Sequence, residues 1–336
     1  MQVLSRCMGR IAITDGMAEV AKEFIRKSGH EVISQHFTKE ELEQGVLSEF
    51  DAVIIRSATK LTQEVINASI GGNLKAIGRA GVGTDNIDID SASKNGIFVL
   101  NTPSASTQSV VELTISHLLS CVRKMPYATH SIRQGKWEKK SLKGSELSGK
   151  NLGFIGFGRI AQGVAKVAKS IGMDLHAYDP YLPRKIAKSY DCVLHSKVED
   201  VFRICTHITI HCQHNSETHH LVNSEMISKM PSIGADGTKC GNHIVNCARG
   251  GIVDEDDLLI ALKSGQLASA ALDVFEEEPV SADNPLLLHP NFHGTPHIGA
   301  VTMEAQSRVG IDISKSICEL LEGKMPTSII NSDISV

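Results

Sequence analysis

The chain has 336 residues, of which 41% are hydrophobic and 21% are charged, and its formal net charge is −4. This length allows about two domains, and the composition is typical of a soluble globular protein. The slight negative charge, without any long basic run, gives no electrostatic reason to expect binding to nucleic acid.

The first residues and the cysteines indicate the cellular context. The segment MQVLSRCMGR lacks the apolar core of a signal peptide, and no run of about 18 apolar residues could span a bilayer. The eight cysteines include no Cys-x-x-Cys pair, which favours free thiols in a reducing compartment over disulfides. We therefore expect a cytoplasmic protein without membrane contact.

Strand-like and helical patterns alternate along the chain. In chain order, the predicted strands are RIAIT, DAVII, KAIGRA, GIFVLN, NLGFIG, DLHAYD, HITIHC, HIVNCA, SAALDVF and FHGTP. Helical patterns cover residues 106–124, 158–171, 254–264 and 302–323. Such alternation is typical of parallel, doubly wound sheets, so the predicted fold class is α/β. The polar stretch 231–242 is expected to be an exposed loop.

A glycine-rich turn lies in the middle of the chain, in NLGFIGFGRIAQGVAKVAKSIGMDLHAYDP. Gly156 permits a tight turn, Gly158 lets the backbone approach a pyrophosphate, and Ala161 stands where a third glycine often packs helix against strand. The N–H groups of Arg159 and Ile160, at the start of the next helix, then face the phosphates. The pattern predicts dinucleotide binding, although the glycines alone also fit an ordinary strand, turn and helix.

An acidic residue follows the second strand of this unit. Asp179 comes directly after DLHAY, where a carboxylate can accept hydrogen bonds from ribose hydroxyls and would repel a 2′-phosphate. We therefore predict NAD rather than NADP as the cofactor.

Ionisable residues also stand near the ends of three later strands. Arg249 follows the apolar part of HIVNCA, and Asp273 lies late in SAALDVF. Glu278 directly precedes a proline in ALDVFEEEP, and His297 directly follows one in HGTPHIGA. Because the carboxyl ends of parallel strands line the ligand crevice of such sheets, we expect the chemistry there.

Other charges in this region have simpler interpretations. The acids within 254–257 are expected to cap a helix and complement its dipole. Glu276 and Glu277 fit solvated loop charges, and an isolated His297 would more often be structural than catalytic.

Together these segments resemble the D-isomer-specific 2-hydroxyacid dehydrogenase family. The resemblance runs from about residue 10 to 331 and rests on IIRSATKLT, GRAGVGTDNID, NTPSAS, GKWEKK, GFGRIA, NCARGGIVDE, ALDVFEEEP and PHIGA. It implies a Rossmann-type NAD domain, 105–295, inserted into a flavodoxin-like substrate domain formed by 1–104 and 296–336.

The resemblance implies a reversible hydride transfer between NAD and C2 of a D-2-hydroxy acid. His297 would be the general acid/base, since histidine holds either protonation state near neutral pH. Glu278 would orient its imidazole, Arg249 would bind the substrate carboxylate, and Asp273 would orient the nicotinamide amide. The further cofactor contacts that it implies are Val82, Pro180, Cys212, Cys247, Ala248 and Gly299.

The substrate expected from the resemblance is 3-phosphoglycerate, or 3-phosphohydroxypyruvate in reverse, at the first step of serine biosynthesis. Gly81 and Gly83 would bind its carboxylate through backbone N–H groups, and Arg56 and Arg79 would bind its phosphate. Lys139 would reach the site from a neighbouring subunit of a homodimer or homotetramer. Arginines at strand ends can also be merely solvated, so the phosphate contact is the less specific of these predictions.

Two other functions remain open. A glyoxylate or hydroxypyruvate reductase would share the fold and chemistry without needing Arg56 or Arg79. A non-enzymatic, NAD-responsive binding protein resembling a corepressor could also retain the Arg, Glu and His.

Three features depart from the family pattern or suggest another function. Gln213 stands where family members usually have a proline beside the adenine. The segment HITIHCQHNSETHH is rich in histidine, but His207 and His211 would lie roughly 13 Å apart on a strand, so we predict no metal site. Because the chain stops at NSDISV, we do not expect feedback by serine through a C-terminal regulatory domain.

Overall fold

Strands and helices alternate over residues 8–334, the part of the chain that the computed structural model describes. The strands are β1 (Arg10–Ile13), β2 (Glu31–Ser34), β3 (Ala52–Ile55), β4 (Ala76–Arg79), β5 (Phe98–Leu100), β6 (Asn151–Ile155), β7 (Asp174–Tyr178), β8 (Cys192–His195), β9 (His207–Ile210), β10 (His243–Asn246), β11 (Ser269–Leu272) and β12 (Phe292–Gly294). The helices are α1 (Glu19–Lys27), α2 (Lys39–Glu43), α3 (Gln63–Ala68), α4 (Ile89–Lys94), α5 (Thr107–Arg123), α6 (Met125–Arg133), α7 (Arg159–Ile171), α8 (Arg184–Ser189), α9 (Val198–Ile204), α10 (Ser224–Ser228), α11 (Glu255–Ser264) and α12 (Met303–Leu321). The predicted α/β class is confirmed.

The chain divides into two compact units, Met1–Ser106 with Ala300–Val336, and Thr107–Gly299. The sequence had placed its domain boundaries near residues 104 and 296. The roles of the two units, substrate binding and cofactor binding, stay predictions at this point.

The first unit contains a five-stranded parallel sheet in the order β2-β1-β3-β4-β5. The apolar strands β1, β3 and β4 occupy its centre, and Ile11, Ile54 and Ile77 are almost wholly buried there. α12 packs against α1 and β4. The contact with β4 is close because Gly78 has no side chain where Ile313 of α12 packs.

The second unit contains a seven-stranded parallel sheet in the order β12-β11-β10-β9-β6-β7-β8. Each neighbouring pair is parallel. Strand order reverses between β6 and β9, and in doubly wound sheets a ligand crevice lies at the carboxyl ends of the strands at such a switch point. The turn after β6 is the predicted glycine-rich turn, so the topology places it at this crevice.

Packing beneath that turn is close. Phe154 and Phe157 are fully buried and meet edge to face, with ring centroids 5.2 Å apart. Gly163 of α7 lies against Val111 of α5, where a Cβ would collide with the valine side chain. Ala161, at the predicted third position of the glycine pattern, is also fully buried.

The polar loop 231–242 is anchored to the second unit by one ion pair. It is mostly exposed, as predicted. The ammonium of Lys150, which is itself buried, lies 2.8 Å from the carboxylate of Asp236 in the loop. Hydrogen bonding to Lys150 is the main cause that lowers the pKa of Asp236 to about 2.

Among the helices within residues 8–334, we find none that combines the length and the apolar character needed for a membrane crossing.

Candidate active site

The glycine turn after β6 has the geometry that close approach of a phosphate needs. Gly156 has a left-handed φ of 82°, and a Cβ there would lie 2.8 Å from the backbone nitrogen of Cys212. Gly158 directly precedes α7, and a Cβ at this position would meet no atom within 4 Å. The first glycine therefore fits the turn against β9, while the second leaves open space at the start of the helix.

Asp179 is held beside this turn. Its carboxylate accepts hydrogen bonds from the backbone N–H groups of Phe157, at 2.9 Å, and Tyr181, at 3.0 Å. The residue lies one position after β7 and is half-buried. The two hydrogen bonds fix a negative charge next to the glycine turn, which is the position from which it would meet an adenosine ribose.

Glu278 and His297 form a hydrogen-bonded pair. Nδ1 of His297 lies 2.7 Å from Oε2 of Glu278, and the other oxygen of Glu278 accepts the N–H of Phe275 at 3.0 Å. Burial alone would raise the pKa of Glu278, but the hydrogen bond and charge of His297, with a smaller effect of Arg249, lower it overall. Because an ionised carboxylate only accepts, Nδ1 of His297 must carry the proton of this bond.

The backbone around His297 is fixed by Asp273. The carboxylate of Asp273 is buried and accepts hydrogen bonds from Thr295 Oγ1, at 2.6 Å, and from the N–H groups of Ile298 and Gly299, both at 2.8 Å. The carbonyl of Asp273 also accepts the N–H of His297 at 2.8 Å. These four bonds surround a left-handed residue, since φ of His297 is 51°.

A chain of hydrogen bonds continues behind Thr295. Nε2 of His117 lies 3.1 Å from Thr295 Oγ1, and Nδ1 of His117 lies 3.1 Å from Nε2 of His293. Since the Thr295 proton goes to Asp273, His117 donates through Nε2 and accepts through Nδ1 from His293. Burial lowers the pKa of His117 and is the main cause that lowers the pKa of His293 to about 4, so both rings are neutral at pH 7.

Arg249 lies in a turn whose shape is set by neighbouring backbone contacts. The side chain of Asn246 bridges this turn, donating to the carbonyl of Arg249 at 2.8 Å and accepting the N–H of Ala248 at 2.9 Å. At the next residue, Gly250, a Cβ would overlap the carbonyl oxygen of Phe275. The turn with Arg249 and the segment leading to Glu278 therefore touch through backbone atoms.

The second unit thus brings together Arg249, Asp273, Glu278 and His297, as the sequence predicted for strand ends. Of the other expected cofactor contacts, Cys212 and Cys247 follow β9 and β10, and burial raises their thiol pKa values to about 11 and about 12. Near these strand ends lies Ala248, and directly after the glycine turn lie Arg159 and Ile160. Pro180, next to Asp179, is exposed. Lys139 is exposed and Gln213 lies on an exposed loop of the same unit.

The remaining predicted residues lie in the first unit, at the carboxyl ends of the strands of its sheet. Arg56 follows β3 and Arg79 ends the neighbouring β4, where Ile55 and Arg79 are register partners. Both arginines are half-buried. The guanidinium of Arg79 folds back to donate to the carbonyl of Ala80 at 3.0 Å, over Gly81, where a Cβ would overlap it. Val82, exposed, and Gly83 follow directly.

Three residues of the site were missed from the sequence. Asn246 and Thr295 fix the turns of Arg249 and His297, and His117 extends the network behind Thr295. A polar residue at the end of an apolar strand, as Asn246 is in HIVN, was the available signal. Glu276 is exposed in a loop, as expected, and its carboxylate also accepts the N–H of Glu255 at 3.1 Å. The predicted helix cap is confirmed, since Asp254 accepts the N–H of Asp257.

Residues 115–299 match the family model described as "D-isomer specific 2-hydroxyacid dehydrogenase, NAD binding domain". The match covers more than half of the chain, and the chain belongs to this family of dehydrogenases.

Individual relatives agree with this assignment. The chain is 43% identical to a D-3-phosphoglycerate dehydrogenase from Methanocaldococcus jannaschii, over 96% of this chain and 60% of that protein. It is 44% identical to a hydroxypyruvate reductase from Thermotoga maritima, over 92% of this chain and 97% of that protein. It therefore spans less than two thirds of the phosphoglycerate dehydrogenase but nearly the whole reductase.

A solved structure gives the same fold. The D-lactate dehydrogenase from Aquifex aeolicus, complexed with NAD and lactic acid, has a TM-score of 0.83 and 26% sequence identity, and the alignment covers 96% of this chain and 99% of that chain.

Proposed function

We propose that the protein is an NAD-dependent dehydrogenase that reversibly transfers a hydride between NAD and C2 of a D-2-hydroxy acid. The observation that carries this proposal is the Glu278–His297 pair at 2.7 Å, in a unit that belongs to the NAD-binding domain family. An oriented imidazole is the group that a proton transfer to or from the substrate oxygen needs.

The second unit has the features that NAD requires. Gly156 makes the tight turn and Gly158 leaves open space at the start of α7, where the first N–H groups of a helix favour a pyrophosphate. The carboxylate of Asp179 would bind the ribose hydroxyls and repel the 2′-phosphate of NADP. When bound, NADH would supply the hydride that adds to C2 of a keto acid.

His297 would move the proton that accompanies this hydride. Its Nδ1 is held by Glu278, which leaves Nε2 as the nitrogen that exchanges a proton with the substrate oxygen. In keto-acid reduction Nε2–H protonates the oxygen on C2, and in hydroxy-acid oxidation the bare Nε2 removes that proton. The carboxylate of Glu278 stabilises the imidazolium by its charge and fixes the plane of the ring.

Arg249 would bind the substrate carboxylate. A guanidinium offers two parallel N–H donors to a carboxylate, which fixes the orientation of the adjoining C2 carbonyl. Asn246 supports this role because it holds the turn that carries Arg249.

We further propose 3-phosphoglycerate and 3-phosphohydroxypyruvate as the substrate pair, at the start of serine formation. The 43% identity to a named D-3-phosphoglycerate dehydrogenase supports this. The position of Arg56 and Arg79 at the carboxyl ends of two neighbouring strands supports it as well. In this proposal the two arginines bind the phosphate, Gly81 and Gly83 bind the carboxylate, and Lys139 adds a charge from a second subunit of a cytoplasmic homo-oligomer.

A hydroxypyruvate reductase is the second candidate. It is favoured by the Thermotoga maritima relative, of which this chain covers 97% at 44% identity. A binding protein without catalysis, the third function that the sequence left open, differs from both because it would show no turnover.

Steady-state kinetics separate these functions. A hydrogen bond to a charged group contributes ~1.5–3 kcal/mol, so two arginines would contribute ~3–6 kcal/mol, or about 10²–10⁴ at ~1.4 kcal/mol per tenfold. We expect kcat/KM with NADH to favour 3-phosphohydroxypyruvate over hydroxypyruvate and glyoxylate by that factor, and NADH to be preferred to NADPH.

A matched pair of variants tests whether Arg79 causes the preference for the phosphorylated substrate. Arg79→Ala should remove most of the discrimination by weakening only the phosphorylated substrate, while Arg26→Ala, on α1 of the same unit, should leave it unchanged. Equal use of hydroxypyruvate by the wild type would assign the reductase function instead. If no keto acid were turned over, the remaining function would be that of a binding protein without catalysis.

A further inference from the structure

A second histidine–carboxylate cluster lies outside the residues assigned to the reaction. His220, in the loop between β9 and α10, has Nδ1 3.0 Å from Oδ2 of Asp254 and Nε2 3.1 Å from Oε1 of Glu276. One ligand atom from each of the three residues can be chosen so that all lie within 4.8 Å of one another. These residues come from three separate segments of the second unit, so the fold alone assembles them.

The position of the His220 ring is set by its backbone. Its φ is 48°, its N–H donates to the carbonyl of Gly251 at 2.8 Å, and its carbonyl accepts from the side chain of Asn223 at 3.0 Å. His219 stacks on the imidazole with ring centroids 4.0 Å apart. The ring is therefore held between the two carboxylates before any ligand arrives.

Nε2 of His220 is buried and has no hydrogen-bond partner among the residues that the structure describes. The carboxylate oxygen of Glu276 is close enough for a hydrogen bond, at 3.1 Å, but it lies away from the direction in which a ring N–H would point. A bare nitrogen lone pair and a carboxylate oxygen repel each other at this distance unless a cation lies near both. An ion bound by both atoms would relieve this repulsion.

The surroundings favour such a cation. A cavity of about 270 Å³ opens beside His220, and its lining includes five carboxylates, from Asp254, Glu255, Asp256, Glu276 and Glu277. Neither lysine nor arginine is among the described residues that line it. Hydrogen bonds from the first turn of α11 to Asp254 and Glu276 offset part of this negative charge, and no lysine or arginine of the described lining offsets the rest.

We propose that His220 and Glu276 bind a divalent transition-metal ion, for which Zn²⁺ is best suited. Zn²⁺ accepts imidazole nitrogen at about 2.0–2.1 Å and carboxylate oxygen at about 2.0–2.2 Å, which is compatible with ligand atoms 3.1 Å apart. Mg²⁺ and Ca²⁺ prefer all-oxygen sites, so the imidazole selects against them. Water in the cavity would complete the coordination.

Asp254 would support the ion from the other side of the ring. Metal-ligating histidines usually present their second nitrogen to a carboxylate, which fixes the tautomer that leaves the ligating nitrogen bare. Oδ2 of Asp254 lies 3.0 Å from Nδ1 of His220, in the position for this role.

The ion would join two segments that carry residues of the proposed reaction. Asp254 caps α11 directly after the turn of Arg249, and Glu276 lies two residues before Glu278. A ligand that binds only the folded state stabilises it by mass action, so Zn²⁺ should raise the melting temperature of the metal-free protein. The metal site does not depend on the proposed function, because its occupancy is measured without substrate.

Metal binding to the chelator-treated protein tests this directly. We expect equilibrium dialysis to give one high-affinity Zn²⁺ per chain, and Co²⁺ to give the visible absorption of a site with nitrogen and oxygen ligands. Asp254→Asn should weaken Zn²⁺ binding about 10–100-fold, as loss of a supporting carboxylate usually does. His220→Asn, which suits the left-handed backbone, and Glu276→Gln should each weaken it at least as much.

The control is His130→Ala, which removes an exposed histidine of α6 in the same unit and should leave both stoichiometry and affinity unchanged. Circular dichroism and NADH binding would show that each variant is folded. Retention of the tight Zn²⁺ in His220→Asn and Glu276→Gln, or its loss in His130→Ala, would overturn the proposal. Absence of tight Zn²⁺ from the wild type would overturn it as well.

Discussion

His297 and His220 are built alike in backbone and differ in their acidic neighbours. Both have left-handed φ values, 51° and 48°, and both contact a glutamate of the short run 276–278. His297 meets one carboxylate, Glu278, through one nitrogen in hydrogen-bond geometry at 2.7 Å. His220 lies between two carboxylates, one near each nitrogen.

The difference shows how the number of carboxylates decides what an imidazole can do. One carboxylate on Nδ1 orients the ring and leaves Nε2 able to gain and lose a proton. Two carboxylates, one at each nitrogen, suit the proposed metal site, because Asp254 can hold Nδ1 while Glu276 shares an ion with a bare Nε2. The backbone support also differs, because only His297 has Asp273 and Thr295 behind it. The following variants test that contrast.

The largest effect is expected from removal of the imidazole to which we assign the proton exchange. Positioned acid/base groups contribute about 10²–10⁴ in rate, so His297→Ala should lower kcat by that factor while the Kd for NADH stays near the wild-type value. Single-turnover reduction of 3-phosphohydroxypyruvate measures the loss. The exposed His214→Ala is the control, and near-normal turnover by His297→Ala would remove this residue from the mechanism.

Loss of the charge on the partner carboxylate should have a smaller effect. A charge-assisted hydrogen bond contributes ~1.5–3 kcal/mol, which corresponds to about 10–100-fold. Glu278→Gln should therefore lower kcat by about that factor with little change in NADH binding. Glu217→Gln, an exposed glutamate of the same unit, is the control. A fall in NADH affinity equal to the fall in kcat would indicate a structural role instead.

The support behind His297 can be weakened without touching either member of the pair. Thr295→Val keeps the side-chain shape but removes a donor to Asp273 and the acceptor of His117, and a buried polar group left unsatisfied costs about 1–3 kcal/mol. We expect the free energy of unfolding, measured in urea, to fall by that amount and kcat to fall with it.

The matched control for this change is Thr206→Val, since Thr206 is buried at the amino end of β9 and its hydroxyl forms a hydrogen bond with the ring of His207. It should leave kcat unchanged. If Thr295→Val retained full kcat after losing stability, Thr295 would not position His297.

The last effect, on stability rather than on rate, concerns the neutral histidines of the same network. Burial is the main cause that holds the pKa of His293 at about 4 in the folded chain, below the unfolded value of about 6.5. The unfolded state therefore binds more protons between these values, so the stability contributed above pH 6.5 is lost as the pH falls toward 4. Each such histidine contributes a slope of about 1.4 kcal/mol per pH unit.

Urea unfolding at several pH values between 7 and 4 measures this slope. His293→Leu should reduce it by up to that amount, whereas the exposed His130→Ala should not change it. An unchanged slope in His293→Leu would mean that His293 is protonated in the folded chain.

The fold was largely predictable because its signals are periodic. The ten predicted strands are present, and the four predicted helices begin and end within two residues of the expected positions. The missed strands, β2 and β8, are the outer strands of their sheets. Only one neighbour covers each of them, so their sequences EVIS and CVLH carry polar residues and lack a clear apolar run.

The position of a candidate residue was predictable where the residue follows a strand end, and not where it depends on a distant partner. Arg249, Glu278 and His297 follow β10, β11 and β12, so topology predicts that they lie near the same crevice, and their roles in the reaction stay predictions. The role of Thr295 depends on Asp273 and His117, and that of His220 on Asp254 and Glu276. These contacts join segments far apart in the chain, so local patterns could not indicate them.

Gly250 sets a limit on how this protein can vary. It has no side chain to contribute to binding or catalysis, yet any larger residue would press against the carbonyl of Phe275 and separate the turn of Arg249 from the segment of Glu278. Position 250 should therefore tolerate almost no substitution in a library selected for activity, although alanine differs from glycine by a single methyl group. The substitutions that Gly250 tolerates would then measure how closely the turn of Arg249 and the segment of Glu278 must be spaced.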